Sequence, residues 1–224
     1  MRRVFRRLFV AATPRRDSAP SLWCRAWLPI ALVLWVGGLG VGLEALWSYS
    51  YTPGPAAQAP SQFPQQSMVT LDATRPTLMM FLHPQCSCSQ ASLHELDVLL
   101  SRAPGRIAVK AVMAPDPDPA SGTGADLRAQ ARTLRAVEVV SDDEGQMALA
   151  FGAQVSGQVL VYDPSGALVF AGGITSARGH EGDNDGLDTA VAIAQGRATA
   201  GRQTPVFGCL LGTASSPVPP GGSS

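Results

Sequence analysis

Cys86-Ser87-Cys88 places two thiols one residue apart, directly behind the apolar run Thr77-Leu-Met-Met-Phe-Leu82 and at the start of a helix-like stretch. Helix N-termini present unpaired N–H groups and a partial positive charge, so a cysteine placed there ionises more readily, and the thiolate is the reactive form. The pair therefore points to sulfur chemistry. Its spacing carries a constraint: side chains two apart on a helix do not face each other, so a Cys86–Cys88 bond must pull Cys86 out of helical geometry. Such a bridge is expected to be strained, and strained, exposed disulfides are the labile or catalytic ones. An inert bridge or two buried thiols is the competing reading. His83, three residues before Cys86, is a candidate for raising the thiolate population or for ligating a metal. Cys209, far along the chain, has three candidate roles: resolving partner for Cys86 or Cys88, third metal ligand, or small buried hydrophobe. Cys86, Cys88 and Cys209 with His83 make a soft-ligand set suited to copper(I) or zinc.

These residues need a scaffold, and the hydrophobic periods describe one. Thr77–Leu82 suits a buried strand, and Ser89 to Arg102 places Leu93, Leu96, Leu99 and Leu100 at helical spacing, with His94, Glu95 and Asp97 free to face water. Arg106 to Met113 alternates as a second strand. Helices follow over Ala125 to Ala136 and Glu144 to Phe151, then the runs Gln158–Tyr162 and Ala167–Phe170 flank the turn Asp163-Pro-Ser-Gly166 as an antiparallel hairpin. Leu187 to Ala200 reads as a closing helix. The order β-α-β-α-(α)-β-β-α implies an α/β domain with a mixed central sheet flanked by helices, its first two strands parallel through a right-handed crossover. In that arrangement the second hairpin strand runs parallel to the cysteine strand, so the Gly172–Gly186 loop emerges beside Cys86. It carries Arg178 and His180, candidates for stabilising a thiolate or passing a proton. Asp183-Asn-Asp185-Gly186 has a hint of a calcium loop, but a twelve-residue frame from Glu181 ends on Ala192 where a glutamate is needed, which favours a turn or helix cap.

The element order, with a cysteine pair between first strand and first helix, resembles the thioredoxin superfamily over roughly residues 70–200. The strings Phe81-Leu-His-Pro-Gln-Cys-Ser-Cys-Ser, Phe151-Gly-Ala-Gln-Val-Ser-Gly, Gly172-Gly-Ile-Thr-Ser-Ala-Arg-Gly-His and Thr204-Pro-Val-Phe-Gly-Cys are similar to a membrane-anchored bacterial subgroup labelled RedB-like. The resemblance implies that Cys86 is the exposed nucleophile and Cys88 the resolving thiol. Two departures stand out. The family's motif has two residues between its cysteines, and its cis-proline before the hairpin is replaced here by Val155-Ser156-Gly157. In the family that proline offers a backbone edge for an extended substrate and keeps metals off the thiols, so its absence favours the metal alternative.

Location follows from the N-terminus. Residues 1–25 hold seven arginines and one acid, and Ala26 to Leu43 is an uncharged stretch of 18 residues flanked by Trp23, Trp27 and Trp47. That length reaches the lower limit for spanning about 30 Å of hydrocarbon. The best small-x-small cleavage site, Ala57-Gln-Ala59, lies far past the apolar region, which favours an uncleaved anchor over a signal peptide. The expected layout is a cytoplasmic basic segment 1–25, a transmembrane anchor 26–47, a Pro-rich tether 48–67, a thioredoxin-like domain 68–212 and a disordered tail 213–224. The arginine excess predicts a single-pass inner-membrane protein with its N-terminus in the cytoplasm and its domain in the periplasm, where disulfides persist. Beyond residue 47 ten basic residues face fifteen acidic ones, a formal charge of −5, so no basic face remains for nucleic acid. No nucleophile elbow or phosphate loop supports hydrolase or transferase chemistry. The expected function is thiol–disulfide oxidoreductase or isomerase chemistry at Cys86 and Cys88, without a cofactor. Its expected partners are client protein thiols and disulfides, the lipid bilayer and a membrane-bound redox partner. The rivals are a copper-delivery module and a redox-inactive thioredoxin-like scaffold.

Overall fold

The computed structural model describes residues 22–55, 58–65, 67–197 and 201–212. The basic segment 1–21, and with it most of the expected cytoplasmic stretch, lies outside the described residues, as does the expected tail from 213. The chain divides into two units, residues 1–46 and 47–224. In the first, helix α1 (Leu22–Tyr51) begins, and its Trp27–Tyr51 portion is long and apolar enough to cross a membrane. Its lack of an amphipathic stripe is what a lipid-facing helix requires.

The second unit is built on one six-stranded sheet of β1 (Thr77–Leu82), β2 (Ala108–Met113), β3 (Val137–Ser141), β4 (Gln158–Tyr162), β5 (Leu168–Gly173) and β6 (Arg202–Gln203), in the order β3-β2-β1-β4-β5-β6. Strands β1, β2 and β3 are parallel, β4 is antiparallel to β1 and β5, and β5 and β6 are parallel, so the sheet is mixed as expected. Every residue of β1 is buried, because both faces of the central strand are covered. Leu78, Met80 and Leu82 pack against Leu93, Leu96 and Leu99 of α2 (Ser87–Arg102) and Leu187 and Ala190 of α5 (Asp185–Ala194). Met79 and Phe81 face the other way, toward Met147 and Ala148 of α4 (Gln146–Ala150) and toward Phe151 and Tyr162. The remaining helix, α3 (Thr123–Thr133), seals the first layer through Leu127 and Ala131.

Strand β3 is absent from the pattern derived above. Its residues Val137-Glu-Val-Val-Ser141 carry the β-branched signal, but they directly follow a helical stretch and were absorbed into the connection; Ala136, with φ of 63°, makes the break. Strand β5 runs on to Gly173, and α5 starts two residues earlier and ends six earlier than the periodicity suggests. Glu95 is a further correction: it is 2% exposed, and its carboxylate accepts the Gly182 N–H, pinning the β5–α5 loop to α2. A buried carboxylate is retained only when something donates to it, and that donor is 87 residues away, invisible to local periodicity. Asn184 caps α5 by accepting the Leu187 N–H at 2.9 Å, so the Asp183–Gly186 string is a helix cap.

The Pro-rich segment does not hang free of the domain, as a solvated tether would. Phe63 N–H donates to the Gly166 carbonyl, Leu168 N–H donates to the Ser61 carbonyl, and the Phe63 ring stands edge-on to Phe151 and Tyr162 at 5.3 and 5.2 Å. An extended chain has unspent N–H and C=O groups, and the β4–β5 hairpin offers partners for them. One aromatic residue among prolines then anchors the strap.

Candidate functional site

Strand β1 ends at Leu82 and the chain turns through His83-Pro-Gln85 into α2, with Cys86 at the N-cap in extended conformation (φ −102°, ψ 120°). The turn is held by main-chain and hydroxyl bonds. The His83 carbonyl accepts Cys86 N–H at 3.2 Å and Ser89 Oγ–H at 2.7 Å, and His83 N–H donates to Ser156 Oγ at 3.0 Å. Ser89 Oγ and Ser156 Oγ are 2.7 Å apart, so these two buried hydroxyls fasten the cysteine turn to the segment before β4. Gly157 (φ +83°) turns the chain behind Ser156, where a Cβ would lie 2.6 Å from Ser92 Oγ. Removing the Ser156 hydroxyl strands the half-buried His83 N–H. Ser156→Ala is therefore expected to cost about 1–3 kcal/mol, measured as a shift in the urea midpoint at constant slope.

Three sulfurs converge here. Cys86 and Cys88 are 3% and 4% exposed, and the Cys209 Sγ lies 3.0 Å from the Cys86 Sγ. All three are free thiols. Geometry alone lets either sulfur of the 3.0 Å pair hold the shared proton, and the surrounding donors decide. The neighbouring Cys88 and Cys209 thiols, with the backbone of the same two residues, favour the anion on Cys86. Against the cost of burial these donors pull the Cys86 thiol down to about 4, so it is a thiolate at neutral pH. Cys88 moves the opposite way, because its proton is held by Cys86 and its own ionisation would be buried beside that charge. Burial, then the bond to Cys86, pushes Cys209 up to about 11, with the Arg178 charge opposing the rise.

The β5–α5 loop reaches the site, as its topology implies. Arg178 donates through Nη1 to the Gly208 carbonyl, next to Cys209, and its guanidinium lies 5.1 Å from the centre of the Tyr49 ring. The Gly179 N–H faces Cys88. The Arg178 charge therefore acts on Cys209. His180 is not at the sulfurs: it is exposed, its Nδ1 is 2.9 Å from the Arg178 carbonyl, and its ring leans on Tyr51. The His83 imidazole is occupied within its own turn, where Nδ1 accepts the Gln85 N–H at 3.2 Å. Among the described residues no group of three or more His, Cys, Asp or Glu side chains forms a metal-holding cluster, so the set Cys86, Cys88, Cys209 and His83 is not gathered as one. Ser89 and Gly208 were missed in the sequence because each acts through a partner distant in the chain.

The parallel β1-α2-β2 crossover, the antiparallel β4–β5 hairpin on the other side of β1 and a cysteine pair at the β1–α2 junction decide the fold. It is thioredoxin-like. A hypothetical protein from Sinorhizobium meliloti is similar to this chain at 18% identity and TM-score 0.53, over 75% of this chain and 99% of its own. An uncharacterized conserved protein from Geobacillus kaustophilus is similar at 19% identity and TM-score 0.54, over 75% and 96%. A putative thiol:disulfide interchange protein DsbE from Chlorobium tepidum has 18% identity and TM-score 0.40, over 65% and 99%. The first two likenesses are of fold. No family model and no curated protein matches the sequence.

Proposed function

We propose that this thioredoxin-like domain carries out thiol–disulfide exchange with Cys86 as nucleophile, held outside the cytoplasmic membrane by α1, and that it belongs with the RedB-like proteins it resembles. The observation that carries this reading is a cysteine at a helix N-cap with a second thiol 3.0 Å from its sulfur, in surroundings that pull its own thiol well down. Structural thiols in a core have no such surroundings and stay protonated. A lowered thiol pKa at a helix cap favours exchange over a redox-inactive scaffold, and among the described residues no group of three or more His, Cys, Asp or Glu side chains is gathered for copper. Clients are protein thiols and disulfides, reached on the exported side where such bonds persist. The arginine-rich start keeps residues 1–25 cytoplasmic, and α1 is apolar along the length needed to span the bilayer.

The test is direct. Reduced full-length protein in detergent micelles is exposed to oxidised glutathione, quenched with acid and mapped by mass spectrometry. Glutathione on Cys86, or an internal disulfide formed through it, is the expected product, and a Cys86 that stays unmodified under oxidising glutathione removes the proposal.

A further inference from the structure

The last described segment is threaded through the site. Val155 and Leu210 form an antiparallel bridge, Ser156 N–H donates to the Cys209 carbonyl at 2.8 Å, and Leu211 N–H donates to the Gln154 carbonyl at 2.8 Å. Gly208 makes the approach feasible, since a Cβ there would lie 2.0 Å from the Ser156 carbonyl oxygen. Val206, Phe207 and Leu211 are buried on either side, and Arg178 fastens the Gly208 carbonyl while its own buried Nε–H has no partner. The strand carries its cysteine to the thiolate and covers it.

We propose that Cys209 is the sulfur that closes on Cys86, and that Gly208–Leu211 is an internal stand-in for an extended, cysteine-bearing client segment, which binds by replacing it along Gln154–Ser156. The proposal rests on the exchange reading and deepens it. Cys209 has the geometry for a bond to Cys86, at 3.0 Å, whereas Cys88 belongs to the same helix start, two residues on, where side chains do not face each other. Cys86 is too buried for a protein disulfide to reach while Cys209 lies over it. When the strand lifts, it leaves the Ser156 N–H and Gln154 C=O without partners, and an extended peptide supplies the same two bonds. The client class is set by those bonds: a segment in strand conformation with its cysteine opposite Cys86.

The sulfur steps balance. The Cys86 thiolate attacks a client disulfide, forming a Cys86–client bond and expelling the second client sulfur as a thiolate, which takes a proton from water. As Gly208–Leu211 returns, the Cys209 sulfur attacks Cys86 Sγ and gives its proton to the departing client sulfur. The client has gained two electrons, and Cys86 and Cys209 have lost them as an intramolecular disulfide. The same steps reversed oxidise a client dithiol.

Full-length reduced protein equilibrated with glutathione mixtures and mapped without reduction tests the closing step. The expected cross-link joins Cys86 to Cys209 while Cys88 remains open to alkylation, and Cys209→Ser raises Cys86–glutathione occupancy by about tenfold or more. A Cys86–Cys88 cross-link in the wild type overturns the inference and leaves the exchange reading standing, whereas a Cys86 that takes no glutathione in either protein removes the exchange reading itself. The covering role is read separately from the rate of Cys86 alkylation by iodoacetamide. Gly208→Ala lifts the strand without touching a sulfur and is expected to accelerate alkylation by about tenfold or more, as local opening replaces a closed state; an unchanged rate overturns the stand-in.

Discussion

Cys86→Ser is expected to lower the rate of exchange with oxidised glutathione by about a thousandfold or more, because a serine hydroxyl supplies no anion near neutral pH while Cys86 is a standing thiolate. The wild-type pH profile is the companion measurement. With its thiol held at about 4, Cys86 should alkylate at a rate that is flat from about pH 5 to 8, where an ordinary cysteine gains about tenfold per unit. A rate that climbs through that range means that the donors from Cys88 and Cys209 do not hold the anion. The same shift acts on stability, with a sign that follows from proton counting. Between about pH 9 and 4 the unfolded chain carries Cys86 as a thiol while the native protein carries a thiolate, so the unfolded state binds more protons. Stability from this group is complete above about 9 and drains away as pH falls toward 4. Cys209, raised to about 11, acts in the other window: its contribution is present below about 9 and is lost as pH rises through 11. Melting temperatures of the reduced protein should therefore decline on the acid side, and Cys86→Ser should flatten that decline.

The second large effect concerns the redox equilibrium. Whatever stabilises the Cys86 thiolate stabilises the reduced protein, and a stabilised reduced form makes the disulfide a stronger oxidant. The wild-type potential is expected to lie above about −200 mV, in the range of catalytic oxidants and well above structural disulfides. Cys88 is the largest contributor to the thiolate, so Cys88→Ala should move the potential in the reducing direction by about 30 mV for each unit by which the Cys86 pKa rises. Equilibration with glutathione, read by alkylation and mass, supplies both numbers. A Cys88→Ala protein with an unchanged potential would show that Cys88 takes no part in holding the anion. If Cys88 were the closing sulfur, this variant would form no internal disulfide, so the measurement also discriminates between the two cysteines.

The cysteine-bearing turn itself was legible from local order. Thr77–Leu82 as a buried strand, a helix opening at the cysteines, the Asp163–Gly166 turn and the Gly172–Gly186 loop arriving beside Cys86 all follow from hydrophobic period, turn residues and the handedness of parallel crossovers. Each is a matter of neighbours in the chain or of topology, which a sequence carries openly. The long apolar α1 belongs to the same group.

What only the tertiary structure decided is who touches whom across long separations. Cys209 stands 123 residues from Cys86, and nothing in its local string indicates which sulfur it meets; the pairing of Leu210 with Val155 brings it to Cys86. The acidic strength of Cys86, the protonation of Cys88, the burial of Glu95 and the docking of Phe63 arise from groups brought together by closure of the sheet. Composition and period report how a segment meets water. Hydrogen bonds and thiol ionisation depend on distances of a few ångströms between segments, and only the packed chain sets those.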